Sequence, residues 1–124
     1  MPTIADYRVL RDSHFDLEPD QERAFSFDLP NDLADAKLVL AYQARPFPLP
    51  PFAAVATVDI GFQFQQHVDT VTIRGETVHG LWETFPRLAV NTDITNTLIF
   101  KSTLGKVRIS DVVLWFQRDI PAGG

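Results

Sequence analysis

Apolar and polar residues alternate along most of the chain with a period of two. In the segment 22–29, Phe25, Phe27 and Leu29 share one parity while Ser26 and Asp28 take the other. The same alternation recurs in the segments 37–42, 57–64, 70–74 and 94–100. Successive side chains of a strand point to opposite faces of a sheet, so each segment predicts a half-buried strand.

Helical patterning is almost absent. The best candidate, the segment 31–37, is barely two turns long and is either a turn or a short helix capped by Asn31. Parallel sheets need crossover connections, usually helices, so the sheets are expected to be antiparallel. Turn-forming residues separate the alternating segments at sandwich-like intervals, which predicts an all-β, antiparallel β-sandwich of about eight strands. We expect a single domain over residues 1–124 with a core from 4 to 120.

The last predicted strand contains a parity slip. Val107 and Ile109 share one parity, whereas Val112, Leu114 and Phe116 take the other. A slip near residues 110 and 111 predicts a β-bulge that re-aims the strand. Alternatively, the segment is a central strand that is apolar on both faces. Both interpretations predict a long and well-buried strand.

Composition narrows the classes of function. The 124 residues include no cysteine and carry a formal net charge of -5. The lack of cysteine excludes disulfides, thiolate metal sites and a cysteine nucleophile. The acidic balance argues against nucleic-acid binding, which needs a positive field. No signal-peptide pattern or membrane-spanning apolar run is found, so we expect no membrane insertion and a cytoplasmic location, or export without a classical signal peptide.

Several segments resemble the galactose-binding-like jelly roll, the β-sandwich of many carbohydrate-binding modules. The resemblance lies in Leu-Trp-Glu-Thr-Phe at 81–85, Asn-Thr-Leu-Ile-Phe at 96–100, Leu-Gly-Lys-Val at 104–107 and Ile-Ser-Asp-Val-Val-Leu at 109–114. The segment 17–29 resembles the opening strands. One position departs from the pattern, because Thr95 precedes Asn96 where the family usually has Gly. The resemblance implies a jelly-roll topology and carbohydrate binding.

The same resemblance implies a structural calcium ion near the first and last strands. The candidate ligands are Glu18, Asp20 and Asp111. Calcium takes six to eight oxygen ligands, which carboxylates and carbonyls supply. The alternative is a solvated acidic loop with Arg23 nearby. No other cofactor is expected.

Residues for catalysis are not grouped in the sequence. His14, His67 and His79 form no pair at i, i+2 or i, i+4, the spacings typical of a compact metal pair. No serine lies in a nucleophile elbow. We therefore expect a protein that is not an enzyme.

The aromatic residues suggest a binding site instead. Sugar recognition takes an aromatic platform and a few placed polar groups. Trp82, close to a predicted turn, could be the platform, with His79, Glu83, Arg87 and Arg45 as polar partners. The alternative is that Trp82 covers one end of the sandwich.

A proline-rich loop at 45–52 suggests a second surface. Proline fixes φ and lacks a backbone donor, so this segment is expected to project as a rigid extended loop. Exposed Phe47, Leu49 and Phe52 would form an apolar surface for a protein partner. The alternative is that the loop folds back over an open end of the core.

Two functions follow from these patterns. The first is a non-catalytic, lectin-like module that binds a glycan or another surface ligand, helped by homo-oligomers that multiply weak affinity. The second is a structural, assembly or accessory subunit of a larger complex that uses the 45–52 loop as its partner surface.

Overall fold

The chain folds into two antiparallel β-sheets packed face to face. The computed structural model describes residues 2–48, 50, 53–63 and 68–120. The strands are β1 (Thr3–Arg11), β2 (Phe15–Leu17), β3 (Glu22–Phe27), β4 (Leu38–Pro46), β5 (Val55–Phe62), β6 (Val68–Arg74), β7 (His79–Phe85), β8 (Asn96–Leu104) and β9 (Val107–Asp119). A short 3₁₀ helix occupies Arg87–Ala89. No helix among the described residues has the length and hydropathy needed to cross a bilayer.

The strand order is that of a jelly roll. One sheet, here sheet A, has the order β1-β9-β4-β7, with β2 also paired to β9. The other, sheet B, has the order β3-β8-β5-β6. Both β1 and β2 pair with β9, so they act as one interrupted strand of an eight-stranded jelly roll. This interruption explains why nine strands are observed where the sequence pattern predicted about eight. The predicted sandwich is confirmed.

Phenylalanine rings fill the space between the sheets. Phe62 and Phe85 pack edge to face with ring centroids 4.9 Å apart, and Tyr42 and Phe100 do so at 5.7 Å. Such edge-to-face pairs contribute beyond their buried area, by about 0.5–1.5 kcal/mol each. In a chain without cysteine, this aromatic core joins the two sheets.

The predicted bulge lies in β9. Asp111 has a φ of 52°, in the left-handed region, and the pairing of β9 with both β4 and β1 shifts register beside it. Val112 and Leu114 beyond the bulge are fully buried, like Ile109 before it. The extra residue therefore restores the apolar face of a strand whose sequence changes parity.

The turn between β8 and β9 requires glycine. Gly105 has a φ of 72°, and a Cβ there would overlap the carbonyl oxygen of Val55. No other residue type fits this close approach without moving the backbone. The glycine turn noted in the sequence thus sets the path into β9.

The edge strand β1 departs from the sequence prediction. The strand β1 was not predicted, because its polarity is reversed: Tyr7 and Val9 are exposed, while Asp6 and Arg8 point inward and are half-buried. Arg8 lies over the Phe116 ring at 5.5 Å and donates from Nε to the Asp28 carbonyl at 3.3 Å. Inward charges at a sheet edge are a known way to close it. The segment 31–37, predicted as a turn or short helix, forms turns with a single bridge, in agreement with the first of these alternatives.

Candidate functional site

The outward face of sheet A carries exposed aromatic rings. Trp82 lies in the middle of β7, where its side chain is 70% exposed. Trp115 on β9 and Tyr7 on β1 face the same way and are 43% and 50% exposed. The sequence pattern predicted Trp82 close to a turn, but it lies in the middle of a strand, on a flat sheet surface. We call Tyr7, Trp82 and Trp115 the aromatic face.

Cross-strand register brings these residues onto one surface. Trp115 pairs with Tyr7 on one side and with Val39 on the other. The Tyr7 and Trp115 rings are in contact, with centroids 5.0 Å apart and planes tilted by 42°. Trp82 pairs with Ala41 of β4. Trp82 and Trp115 are two strands apart across the sheet and two residues apart along the strands. The distance between their Cα atoms is therefore about 12 Å.

The side chains between the rings are small or apolar. Val9, Val113 and Ala41 form the cross-strand row that ends at Trp82. Apolar side chains of this kind leave the rings accessible from above. The aromatic face is therefore continuous from the β1 edge to the β7 edge of sheet A.

A depression opens beside Trp82. It has a volume of about 330 Å³, and its lining includes Ala41, Gln43, Gly80 and Asp111. Gly80 occupies the outward position that precedes Trp82 in β7, and a Cβ built there meets nothing within 4 Å. The missing side chain therefore leaves open space between Trp82 and the next outward row.

Beyond the depression, sheet A ends in a cluster of cations around one ring. Arg45, Lys106 and Arg108 lie 5.3, 4.8 and 5.5 Å from the centroid of Phe47. Cations at this distance are attracted to the face of an aromatic ring. We call Arg45, Lys106, Arg108 and Phe47 the cationic end.

Two of these three cations form ion pairs with carboxylates. Arg108 donates from Nε and one terminal nitrogen to the two carboxylate oxygens of Asp16, at 2.8 and 3.2 Å. These hydrogen bonds lower the pKa of Asp16 and raise the pKa of Arg108. Lys106 pairs with Glu18 at 3.2 Å. Arg45 has no ion pair or hydrogen bond from its side chain within the described part of the chain, and only the Phe47 ring holds it.

Two predicted partners of Trp82 lie on the other side of the strand. His79 lies three residues before Trp82 and Glu83 lies one residue after it. Because side chains alternate along a strand, an odd separation turns both toward sheet B. Tyr42 donates its hydroxyl to Glu83 Oε2 at 2.9 Å. Burial raises the pKa of both groups. His79 is half-buried, and its Nε2 has no hydrogen-bond partner among the described residues.

The structure also separates Arg87 from the aromatic face. Arg87 begins the 3₁₀ helix after β7 and donates to the carbonyl of Val90 at 3.0 Å. It lies beyond the end of β7 that is opposite to Arg45. Of the predicted binding residues, Trp82 and Arg45 alone share the outward surface of sheet A.

The proposed calcium ligands are apart. Glu18 is engaged with Lys106, whereas Asp20 has a φ of 69° and donates its backbone N–H to the Ser102 carbonyl. Asp111 lies at the bulge of β9 on the outward side of sheet A. Among the residues that the structure describes, no three His, Cys, Asp or Glu side chains are grouped to hold a metal ion.

The predicted partner surface at 45–52 is only partly described. Phe47 is half-buried within the cationic end, and its backbone N–H donates to the Lys106 carbonyl at 2.9 Å. Leu49 and Phe52 lie outside the described residues. Phe47 thus serves as a platform for cations.

Tyr7 and Trp115 were not predicted as site residues. Trp115 shares a parity with Val113 in the last predicted strand. Its exposure depends on which side of β9 faces the core, and the bulge decides this. Tyr7 shares a parity with Val9, an alternation that could have predicted β1. The polar residues between them made that strand look like a surface segment.

Comparisons with known proteins add a fold likeness. No family model and no curated protein matches the chain. A solved structure, dimeric latent PorU from Porphyromonas gingivalis, superposes with a TM-score of 0.61 at 11% identity over 94% of this chain. The chain spans only 12% of the length of that PorU chain. At this identity, the likeness shows the fold alone.

A second solved structure is weaker. It is described as "Family 16 Carbohydrate Binding Module-2", with a TM-score of 0.38 and 8% identity over 87% of this chain and 74% of that one. A likeness of this size carries no argument about function. The function proposed below therefore depends on the geometry of sheet A.

Proposed function

We propose that the chain is a non-catalytic module that binds carbohydrate through the aromatic face of sheet A. The observation that carries the proposal is the exposure of Trp82, 70% of whose side chain is accessible in the middle of a strand. Trp115 and Tyr7 share its face. An exposed Trp82 beside polar groups is the arrangement that distinguishes a binding platform from a cover over the core.

The chemistry of this face fits the apolar side of a sugar ring. A pyranose presents C–H groups on its flat sides and hydroxyls at its rim, so aromatic rings take the flat sides and polar groups take the rim. Gln43 and Asp111 line the depression next to Trp82 and supply an amide and a carboxylate. The two tryptophans are about 12 Å apart across β4, so they can contact more than one sugar ring of a chain.

The rigidity of the platform favours weak but specific recognition. Each ring sits on a strand paired on at least one side, and Tyr7 packs against Trp115. Pre-organised rings lose little conformational entropy on binding. Sheet-borne aromatics are therefore better placed than loop residues to hold a ligand without closure.

A second candidate is an assembly module whose partner covers the same face. The exposed apolar surface continues along β1 to Val9, which is 55% exposed and has the same parity as Tyr7. Contiguous apolar surfaces of this kind often mark protein contacts. In the PorU structure, described as dimeric, the comparable β-sandwich is a small part of a much longer chain. The partner surface would then be sheet A and not the 45–52 loop.

The test is binding to a polysaccharide panel with matched variants. The purified chain is run by affinity electrophoresis through gels that contain xylan, soluble glucan, chitosan or polygalacturonate. We expect retention by at least one polymer, and Trp82→Ala and Trp115→Ala each to weaken binding by about tenfold or more, because exposed tryptophans dominate such contacts. Val68→Ala, an exposed apolar residue of sheet B, should bind as the parent does.

Two outcomes would overturn the carbohydrate proposal. One is a parent protein that no polymer in the panel or a broader glycan array retains. The other is unchanged binding in both tryptophan variants. Light scattering after size exclusion separates the second candidate: a parent oligomer that Trp82→Ala converts to a monomer would support the assembly role.

A further inference from the structure

The aromatic face and the cationic end form one graded surface. Three successive outward rows of sheet A lead from Trp82 and Ala41, through Gly80 and Gln43, to Arg45 next to Arg108. The last row includes the pair Arg45 and Arg108 in the register of β4 with β9. Four residues of β4 separate Ala41 from Arg45, or about 13 Å along the strand.

Two adjoining depressions line this path. The first, of about 330 Å³, lies beside Trp82, and the second, of about 200 Å³, is lined by residues that include Arg45, Arg108 and Ser110. Both include Gln43. Gly80 lies at the junction and leaves open space there. A ligand that passes over Gly80 can therefore reach from the ring of Trp82 toward the guanidinium of Arg45, with Gln43 and Val78 lining its path.

Arg45 is the cation on this path whose side chain has no hydrogen bond or ion pair with the described residues. The other two cations at Phe47 are neutralised by Asp16 and Glu18, whereas Arg45 has no carboxylate partner within the described ranges. Its stacking on Phe47, at 5.3 Å, orients the guanidinium without occupying its donors. A planar guanidinium with free donors matches the two oxygens of a carboxylate or sulfate.

The carboxylate of Asp111 favours one direction of binding. Asp111 lines the depression beside Trp82, and Glu76 lines a smaller one next to Arg45 and Phe47. An anionic group at the Trp82 end would meet Asp111 directly. The hydroxyls of a sugar are suited to Asp111 and Gln43, and the anion to Arg45.

We infer that the groove from Trp82 to Arg45 binds a glycan that carries an oxyanion, either the carboxylate of a uronic acid or a sulfate ester. A neutral sugar ring stacks on Trp82, the chain passes over Gly80, and the oxyanion accepts hydrogen bonds from Arg45. This inference names the ligand class for the face assigned under the proposed function and rests on that assignment.

The experiment compares two matched pairs of polymers at low salt. Polygalacturonate is compared with its methyl-esterified form, and dextran sulfate with dextran, so that the carboxylate and sulfate sources are distinguished. We expect the parent to prefer the acidic member of at least one pair by about tenfold, the effect of a charge-assisted hydrogen bond. Arg45→Gln should abolish the preference and keep the affinity for the neutral polymer.

Two further variants test the effect of charge alone and the need for open space at Gly80. Arg74→Gln removes the same charge from the exposed end of β6 in sheet B and should keep the preference. Gly80→Val should fold, since a Cβ there meets nothing within 4 Å, and should weaken binding of acidic and neutral members alike. Thr72→Val on sheet B is its matched control.

The failures are separable. Equal affinity for both members of each pair in the parent, or a preference that survives Arg45→Gln, would overturn the acidic-glycan inference and leave the carbohydrate proposal standing. A loss of preference in Arg74→Gln equal to that in Arg45→Gln would reduce it to a general charge effect and also overturn it. No binding to any polymer would remove the proposed function and this inference together.

Discussion

The outward faces of the two sheets differ although both are open to solvent. Sheet B presents short polar side chains that pair across strands: Thr57 with Thr72 at 3.0 Å and Thr70 with Asp59 at 2.7 Å. Sheet A presents Tyr7, Trp82 and Trp115. None of the outward strand positions described in sheet B carries an aromatic ring.

The contrast shows what a solvated jelly-roll face needs. Threonine and charged pairs satisfy the pleated surface and keep it in water, as sheet B does with the row Glu22, Lys101 and Asp59. A solvated face does not require exposed tryptophan, because threonine also has a high strand propensity. The exposed rings of sheet A are the feature on which the binding proposal rests.

The largest expected effect separates neighbours on β9 that face opposite ways. Leu114 is fully buried between the sheets, whereas Trp115 is 43% exposed. Leu114→Ala should lower the free energy of unfolding by about 2–5 kcal/mol, from lost burial and the cavity left behind. Trp115→Ala should cost about 1.5 kcal/mol or less, mainly its contact with Tyr7. Urea denaturation measures both, and equal losses would mean that Trp115 belongs to the core.

A smaller effect is expected at the bulge that orients Trp115. Asp111 has a φ of 52°, and a β-branched residue in that region costs about 1–2 kcal/mol. Asp111→Val should therefore be less stable than Asp111→Gly by about this amount, since glycine adopts the conformation freely. Thermal or urea unfolding of the two variants checks the order. A more stable valine variant would contradict the bulge geometry.

The smallest effect concerns Glu83, next to Trp82 in sequence but on the other side of β7. Burial raises its pKa in the folded state, so its contribution to stability is full below the ordinary pKa of 4.5 and is lost as pH rises through the folded value. Glu83→Gln keeps an acceptor for Tyr42 and carries no charge. Relative to the parent, it should gain stability on going from pH 4 to pH 7.

Urea unfolding at several pH values measures this change, with polymer binding as the second readout. Binding at constant pH should be unchanged in Glu83→Gln, because the side chain lies on the inner side of the strand. A stability difference that does not vary with pH would contradict the raised pKa. A loss of binding in a folded variant would contradict the assignment of Trp82 and Glu83 to opposite faces.

Much of the fold could be predicted, whereas the site could be predicted only in part. The period of two also implied that His79 and Glu83 lie opposite Trp82 on a shared strand. Placing Trp82 beside a turn hid this consequence. Tyr7 was harder to predict, because the residues of β1 that point inward are Asp6 and Arg8, which bind Arg118 and the Asp28 carbonyl.

The sequence by itself determined most of the strands, their antiparallel pairing and the glycine turn at Gly105, and it gave the bulge near Asp111 as one of two interpretations. These features depend on alternation and backbone conformation, which are local properties of the chain. Only the tertiary structure decided that Tyr7 meets Trp115 and that Arg45 shares a face with Trp82. Tyr7 and Trp115 belong to the first and last strands of the jelly roll, and local periodicity cannot specify which distant strands become neighbours.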